Sequence, residues 1–135
     1  MKIVISTLLS TLLCSSLLVA NTAEEEKLDS DMRSMLSAVA DMQRAGFYSN
    51  EIGLKDAVKK LTSNLDSLIQ SDANKYLSSK HIDANKFAQK RAKMIKMYAL
   101  DVLESFESND YDDAMESYSQ ILRQCTSCHS RIRSK

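Results

Sequence analysis

The chain has 135 residues, with 18 basic and 18 acidic side chains that leave no net charge at neutral pH. One domain fits this length, and the lack of a basic excess argues against a nucleic-acid partner. The sequence contains no proline and only two glycines. Because the turns between strands usually need proline or glycine, we predict an all-α fold.

The N-terminus has the pattern of a secretory signal peptide, in which Lys2 precedes an apolar run over residues 3–20. We predict a signal peptide over residues 1–20, with cleavage as late as residue 23 as the alternative. The mature domain, residues 21–135, is then exported to the periplasm. A retained membrane anchor is the competing interpretation. The run is marginal in length for a bilayer span, so we expect no stable span after processing.

Apolar residues recur at helical spacing along the mature part of the chain. Gly46 is the predicted C-cap of the first helix, and Asp110 caps the fourth after the turn residues Ser108 and Asn109. The connections are short, which favours antiparallel neighbours and an up-down-up-down four-helix bundle. The four predicted helices span residues 24–45, 50–71, 83–107 and 111–133.

The apolar stripe of each predicted helix marks the side that faces the core. On helices one and two the stripe comprises Leu28, Met32, Met35, Val39, Met42, Leu54, Val58, Leu61, Leu65 and Leu68. On helices three and four it comprises Phe87, Met94, Ile95, Tyr98, Val102, Phe106, Tyr111, Met115, Tyr118, Leu122, Cys125 and Ile132. In this topology the start of helix one, the second connection and the end of helix four lie at one end of the bundle.

Helix four ends in Cys125-Thr126-Ser127-Cys128-His129, a C-x-x-C-H motif. Cysteines at i and i+3 lie on one side of a helix, where each thiol can bond to one vinyl group of haem. The histidine that follows can bind the iron. C-x-x-C-H is the attachment signature of c-type haem. We therefore predict one covalent haem c near the C-terminal end of helix four, held by Cys125, Cys128 and His129.

Two other interpretations of this motif are weaker. Zinc needs two further ligands, and outside the motif the mature chain offers only His81 and no cysteine. Cys14 lies within the predicted signal peptide, and Leu13 precedes it where a lipoprotein has a small residue. A thioredoxin-like redox pair belongs in a βαβ context, which this sequence does not predict.

In this layout the chain resembles the class II cytochromes c, the cytochrome c-prime family, which carry C-x-x-C-H on the last helix of a four-helix bundle. The likeness is specific over residues 110–135, where a capped helix, the motif and a basic tail follow in the family's order. The family has an aromatic residue three positions after the histidine and then a basic residue. Here Ile132 replaces the aromatic and Arg133 keeps the charge. The resemblance implies that Arg133 modulates the iron-binding histidine, and that two copies dimerise through helices one and two.

The sixth iron ligand separates two functions within this family. Low-spin members place a methionine of helix one over the haem and transfer electrons, whereas high-spin members leave the iron five-coordinate and bind small gases. Helix one also resembles the first helix of the periplasmic b-type four-helix-bundle cytochrome, in which an acidic-flanked methionine is the ligand. Asp31-Met32 takes that place here. The resemblance therefore favours the low-spin type with Met32 as sixth ligand, and Met35 and His81 are the alternatives.

These patterns predict a periplasmic cytochrome that carries single electrons between redox proteins. The alternative function is a cytochrome c-prime-like protein that binds nitric oxide or carbon monoxide. No pattern of a catalytic base, a second cofactor or a substrate pocket is present, so we do not expect an enzyme. The basic residues that could meet the haem carboxylates are Arg33, Lys86, Lys90 and Arg91.

Overall fold

The computed structural model describes residues 4–77 and 83–132, with side chains from Ala23 onward. It confirms the all-α prediction for these residues, and only a single isolated bridge lies outside helices and turns. The predicted bounds of helices two and three agree to within one residue. The last helix ends at His129, four residues before the predicted end. The helices are α1 (Val4–Phe47), α2 (Glu51–Gln70), α3 (Ala84–Glu107) and α4 (Tyr111–His129), and a short 3-10 helix (Ala73–Lys75) follows α2.

The α1–α2 and α3–α4 connections are two copies of the same tight turn. The left-handed residues are Ser49 and Asn109, at φ of 50° and 60°. The next residues, Asn50 and Asp110, donate backbone N–H groups to carbonyls five residues earlier, at 2.9 and 2.8 Å. This is the Schellman ending of a helix. The prediction of Gly46 as the C-cap of the first helix was therefore wrong, because Ser49 takes the left-handed position.

Both tight turns also start the helix that follows. The Asn50 side chain accepts a hydrogen bond from the Gly53 N–H at 3.0 Å, and Asp110 accepts one from the Asp113 N–H at 3.2 Å. The predicted cap at Asp110 is thus confirmed. Asn50 and Asp110 therefore each cap two helices. The backbone N–H of the residue binds the end of the preceding helix and its side chain binds the start of the next, so the connection is short.

Successive helices pack on one another, α1 on α2, α2 on α3 and α3 on α4. Each of these pairs is antiparallel, because residue numbers rise along one helix as they fall along its partner. The hydrogen-bonded and ion pairs that show this are Ser34–Asn64, Ser37–Lys60, Asp66–Lys96, Lys55–Glu107 and Arg91–Gln124. The backbones of α1 and α4 stay further apart, and these helices meet through side chains, as where the Tyr118 hydroxyl donates to the Val39 carbonyl at 3.3 Å.

The predicted inner faces of α1 and α2 agree well with the core. All five apolar positions predicted on α2 are buried, as are Met35, Val39 and Met42 on α1. Leu28 and Met32 are half-buried against the same core. On α3, Ile95, Val102 and Phe106 are buried as predicted, but much of the buried face consists of alanines, which let neighbouring helices approach closely. These alanines are Ala84, Ala88, Ala92 and Ala99.

The inner face of α4 agrees with the prediction only in part: Tyr118 and Cys125 pack against the core as predicted, but the fully buried positions are different ones. Met115 and Leu122, predicted to face the core, are 53% and 42% exposed. The predicted positions Tyr111 and Ile132 are also exposed. The side chains that α4 buries are Ala114, Ile121 and Gln124. Counting large apolar side chains missed this face because its members include one small residue and one polar residue.

Among the described residues, no helix combines the length and the hydropathy that a membrane-spanning segment requires.

Candidate functional site

The last turn of α4 carries the C-x-x-C-H motif. Cys125 and Cys128 are free thiols and both are half-buried. They are three positions apart on the helix, so they lie on the same side of α4. His129 is the final residue of the helix, and its side chain is exposed. The two thiols therefore face the protein while the imidazole is open to solvent.

The helix end that holds the motif is capped by the residues just after it. The Ser130 N–H donates to the Thr126 carbonyl at 2.9 Å. Arg131 reaches back with Nη1 to the Ser127 carbonyl, also at 2.9 Å. These bonds satisfy carbonyl groups that a helix C-terminus leaves without partners. The motif is thus held in a regular helical turn up to His129.

Burial sets the chemistry of the two thiols. It raises the pKa of Cys125 to about 11, and the neighbouring Cys128 adds to the rise. Burial also raises the pKa of Cys128, although the nearby guanidinium groups of Arg91 and Arg131 oppose the rise. Since the thiolate is the reactive form, both cysteines are protonated and slow to react at neutral pH.

Two tyrosines lie beside the motif, one for each thiol. Tyr118 is close enough to Cys125, and Tyr76 to Cys128, for the thiol charge to raise the tyrosine pKa, after the larger effect of burial. The Tyr76 hydroxyl is 3.1 Å from Ser71 Oγ. Tyr76 belongs to the connection between α2 and α3, so this connection lies against the end of α4.

A short backbone pairing fixes the same connection to the end of α4. Leu77 and Ile132 form an antiparallel bridge, and Leu77 is buried. The structure therefore brings the second connection to the motif. His81 and Arg133, two predicted site residues in these stretches, lie outside the described residues, and their roles stay predictions.

The methionines predicted as iron ligands lie on the α1 side of the core that the motif contacts. Met35 is 8% exposed and belongs to the continuous core, and Met32 is half-buried at its edge. Cys125 packs against the same core. Both methionines and Cys125 therefore contribute to one apolar core, which extends along the helices from the tight turns to the motif. The structure assigns no metal to them, and among the described residues no group of three or more His, Cys, Asp or Glu side chains forms a metal site.

A cationic cluster flanks Cys128, and the sequence analysis named only one of its two arginines, Arg91, as a haem contact. The guanidinium carbons of Arg91 and Arg131 lie over the Phe87 ring, 4.9 and 4.8 Å from its centroid. Arg91 Nη1 also donates to the Oε1 atom of buried Gln124 at 2.6 Å. Arg91 was among the basic residues expected near the haem carboxylates, and its i, i+4 spacing from Phe87 is consistent with the ring contact. The contact with Arg131 depends on how α3 packs against the end of α4.

Comparison with protein-family models, with characterised proteins and with solved structures finds no match for this chain.

Proposed function

We propose that this chain is a periplasmic c-type cytochrome that transfers single electrons between redox proteins. The observation that carries the proposal is the C-x-x-C-H motif, with Cys125 and Cys128 as free, half-buried thiols on one side of α4. A bound haem supplies a centre that changes its charge by one electron. The proposed architecture is an up-down-up-down bundle with the haem at the end where α4 terminates.

The residues around the motif fit a haem in their chemistry. Cys125 and Cys128 would hold the porphyrin through thioether bonds, and the exposed His129 would bind the iron. The apolar core beside Cys125 would exclude water from the haem face, which raises the reduction potential. Met32 is the proposed sixth ligand, because it lies at the edge of that core, whereas Met35 is already packed within it. Arg133 is proposed to modulate His129.

The proposed carrier is exported by residues 1–20, acts as residues 21–135 and is not an enzyme. Its proposed partners are periplasmic redox proteins. Dimerisation through α1 and α2 is supported by three large apolar side chains there that are more than 70% exposed. They are Leu36, Phe47 and Ile52.

The visible spectrum of the exported, matured protein tests this function. The proposal predicts sharp low-spin bands in the ferrous form, no response to carbon monoxide, and a weak sulfur-to-iron band near the red edge in the ferric form. Met32→Ala removes that band. Met115→Ala is the matched control, since Met115 is an exposed methionine near the start of α4 and leaves the spectrum unchanged.

Other outcomes identify the alternatives. Loss of the sulfur band in Met35→Ala, but not in Met32→Ala, assigns Met35 as the ligand. A low-spin spectrum without the sulfur band that changes in His81→Ala assigns His81. Broad high-spin bands that respond to carbon monoxide contradict the electron carrier and favour the protein that binds nitric oxide or carbon monoxide.

A further inference from the structure

We propose that Arg91 and Arg131, gathered on the Phe87 ring, form a carboxylate-binding site that takes the propionate groups of the haem. This inference rests on the proposed function, because the ligand is the cofactor's own pair of carboxylates. It goes beyond that function by assigning two binding residues, one on α3 and one just after α4. It also excludes three of the four basic residues that the sequence alone offered.

Charge balance is the first reason for an anionic ligand. Arg33 forms an ion pair with Asp29, and Arg44 forms one with Asp41. Arg91 and Arg131 have no carboxylate within ion-pair distance among residues 23–77 and 83–132, although both approach the same ring. Two neighbouring cations without a counter-ion repel each other, and the ring offsets only part of this cost.

Desolvation of Arg91 is the second reason. Its Nε atom is buried and has no hydrogen-bond partner. Its Nη1 donates to Gln124, a side chain that is only 5% exposed. A buried donor without a partner is costly, and more so on a charged group. A carboxylate is the acceptor that a guanidinium binds best, because its two oxygens match two N–H groups.

Location is the third reason. Arg131 Nη1 donates to the carbonyl of Ser127, which lies between the two cysteines, and Arg91 Nη1 donates to Gln124, which precedes Cys125. Both guanidinium groups therefore lie beside the helical turn that would hold the porphyrin. By contrast, Lys86 and Lys90 line a groove on the outer side of α3 with Lys93, Met94 and Met97. Arg33 is occupied by Asp29. Of the four sequence candidates, only Arg91 lies beside the motif.

Reduction potentials of the matured full-length protein test the assignment. A cation near the haem disfavours the more positive ferric state, so Arg91→Met and Arg131→Met each lower the potential, and the double variant lowers it further. Arg91→Lys keeps the charge and recovers most of the loss, which a purely structural role of Arg91 does not predict. Arg123→Met is the matched control, because Arg123 is exposed on α4 and unpaired among the described residues. Potentials of the Arg91 and Arg131 variants equal to that of Arg123→Met overturn the assignment.

Inorganic phosphate distinguishes the propionates from a free anion. With the site filled by propionates, the potential of the unmodified protein does not depend on phosphate concentration at constant ionic strength. A phosphate dependence that disappears in Arg91→Met overturns the propionate assignment and identifies a site for a free anion instead.

The haem content of the exported protein distinguishes failure of this inference from failure of the proposed function. If the exported protein carries no haem, the function fails. The haem-free chain is then titrated with iron-free deuteroporphyrin, which has the carboxylates but no vinyl groups, and with its dimethyl ester. The carboxylate site predicts roughly tenfold tighter binding of the free acid, an advantage that is lost in Arg91→Met and kept in Arg123→Met. Equal binding of the acid and the ester overturns it.

Discussion

At the scale of single residues, the motif places protonated thiols next to an apolar core. Cys125 is the more strongly affected of the pair, because burial and its partner thiol act in the same direction. Cys128 lies nearer the guanidinium groups, which partly compensate for its burial. The two cysteines therefore differ in reactivity although they share one helical turn.

This difference predicts unequal alkylation of the haem-free chain. The thiolate is the reactive form, so at pH 8 both cysteines react more slowly than a small thiol, and Cys125 reacts more slowly than Cys128. The Cys125 rate increases about tenfold per pH unit until pH approaches its pKa of about 11. Iodoacetamide labelling of the chain lacking residues 1–20, followed by peptide mass spectrometry, measures both rates. A Cys125 rate at pH 8 equal to that of the small thiol contradicts the prediction.

The two methionines of α1 are predicted to differ in their contribution to stability. Met35 is 8% exposed within the core, so Met35→Ala costs about 2–3 kcal/mol in the free energy of unfolding. Met32 is half-buried at the edge and Met32→Ala costs less. Urea denaturation of haem-free variants gives both values without any contribution from iron ligation. A larger cost for Met32→Ala than for Met35→Ala counts against the packing described here.

At the scale of secondary structure, the helices were predictable to different degrees. On α2 the leucines and valine recur at regular spacing and all are buried, and only one alanine, Ala57, shares that face with them. On α3 the buried face is built largely of alanine, whose weak hydrophobicity leaves little trace in an apolar pattern. On α4 a buried glutamine takes a core position because it accepts a hydrogen bond from Arg91. The spacing of apolar residues along α4 gives no indication of such a partner on another helix.

The two tight turns predict a stabilising substitution. Ser49 adopts a left-handed conformation at φ of 50°, which costs a residue with a side chain about 1–2 kcal/mol, whereas glycine adopts it freely. After the greater flexibility of glycine in the unfolded chain is subtracted, Ser49→Gly gains up to about 1 kcal/mol. Asn109→Gly gains less, since asparagine tolerates this region better. Thermal unfolding of both variants tests the order, and a destabilised Ser49→Gly contradicts it.

At the scale of the whole molecule, the lengths of the connections determine where the motif lies. The tight turns at Ser49 and Asn109 join helices at one end, and the longer second connection lies at the other, against Ile132. This placement was predictable from the antiparallel topology. The contact between Phe87 and Arg131 was not, because these residues are 44 positions apart in sequence and meet only through the packing of α3 against the end of α4.

The proposed haem predicts a large effect on overall stability. Replacing both attachment thiols, Cys125→Ser with Cys128→Ser, removes covalent haem and leaves a folded but loosened chain with a lower melting temperature. The same exported protein with Cys14→Ser keeps the stability of the unmodified protein, because Cys14 lies in the predicted signal peptide. Circular dichroism during heating compares the two. A native melting temperature in the double variant contradicts a structural role for the haem.

Covalent attachment of haem to the matured protein is the most direct test of the central claim. The protein is exported in a bacterium that matures c-type cytochromes, denatured, and extracted with acidified organic solvent before its spectrum is recorded in alkaline pyridine. We predict that one haem stays with the polypeptide, gives a c-type spectrum, and is lost in Cys125→Ser with Cys128→Ser but kept in Cys14→Ser. A polypeptide free of haem after maturation, or haem that is fully extracted, contradicts the claim.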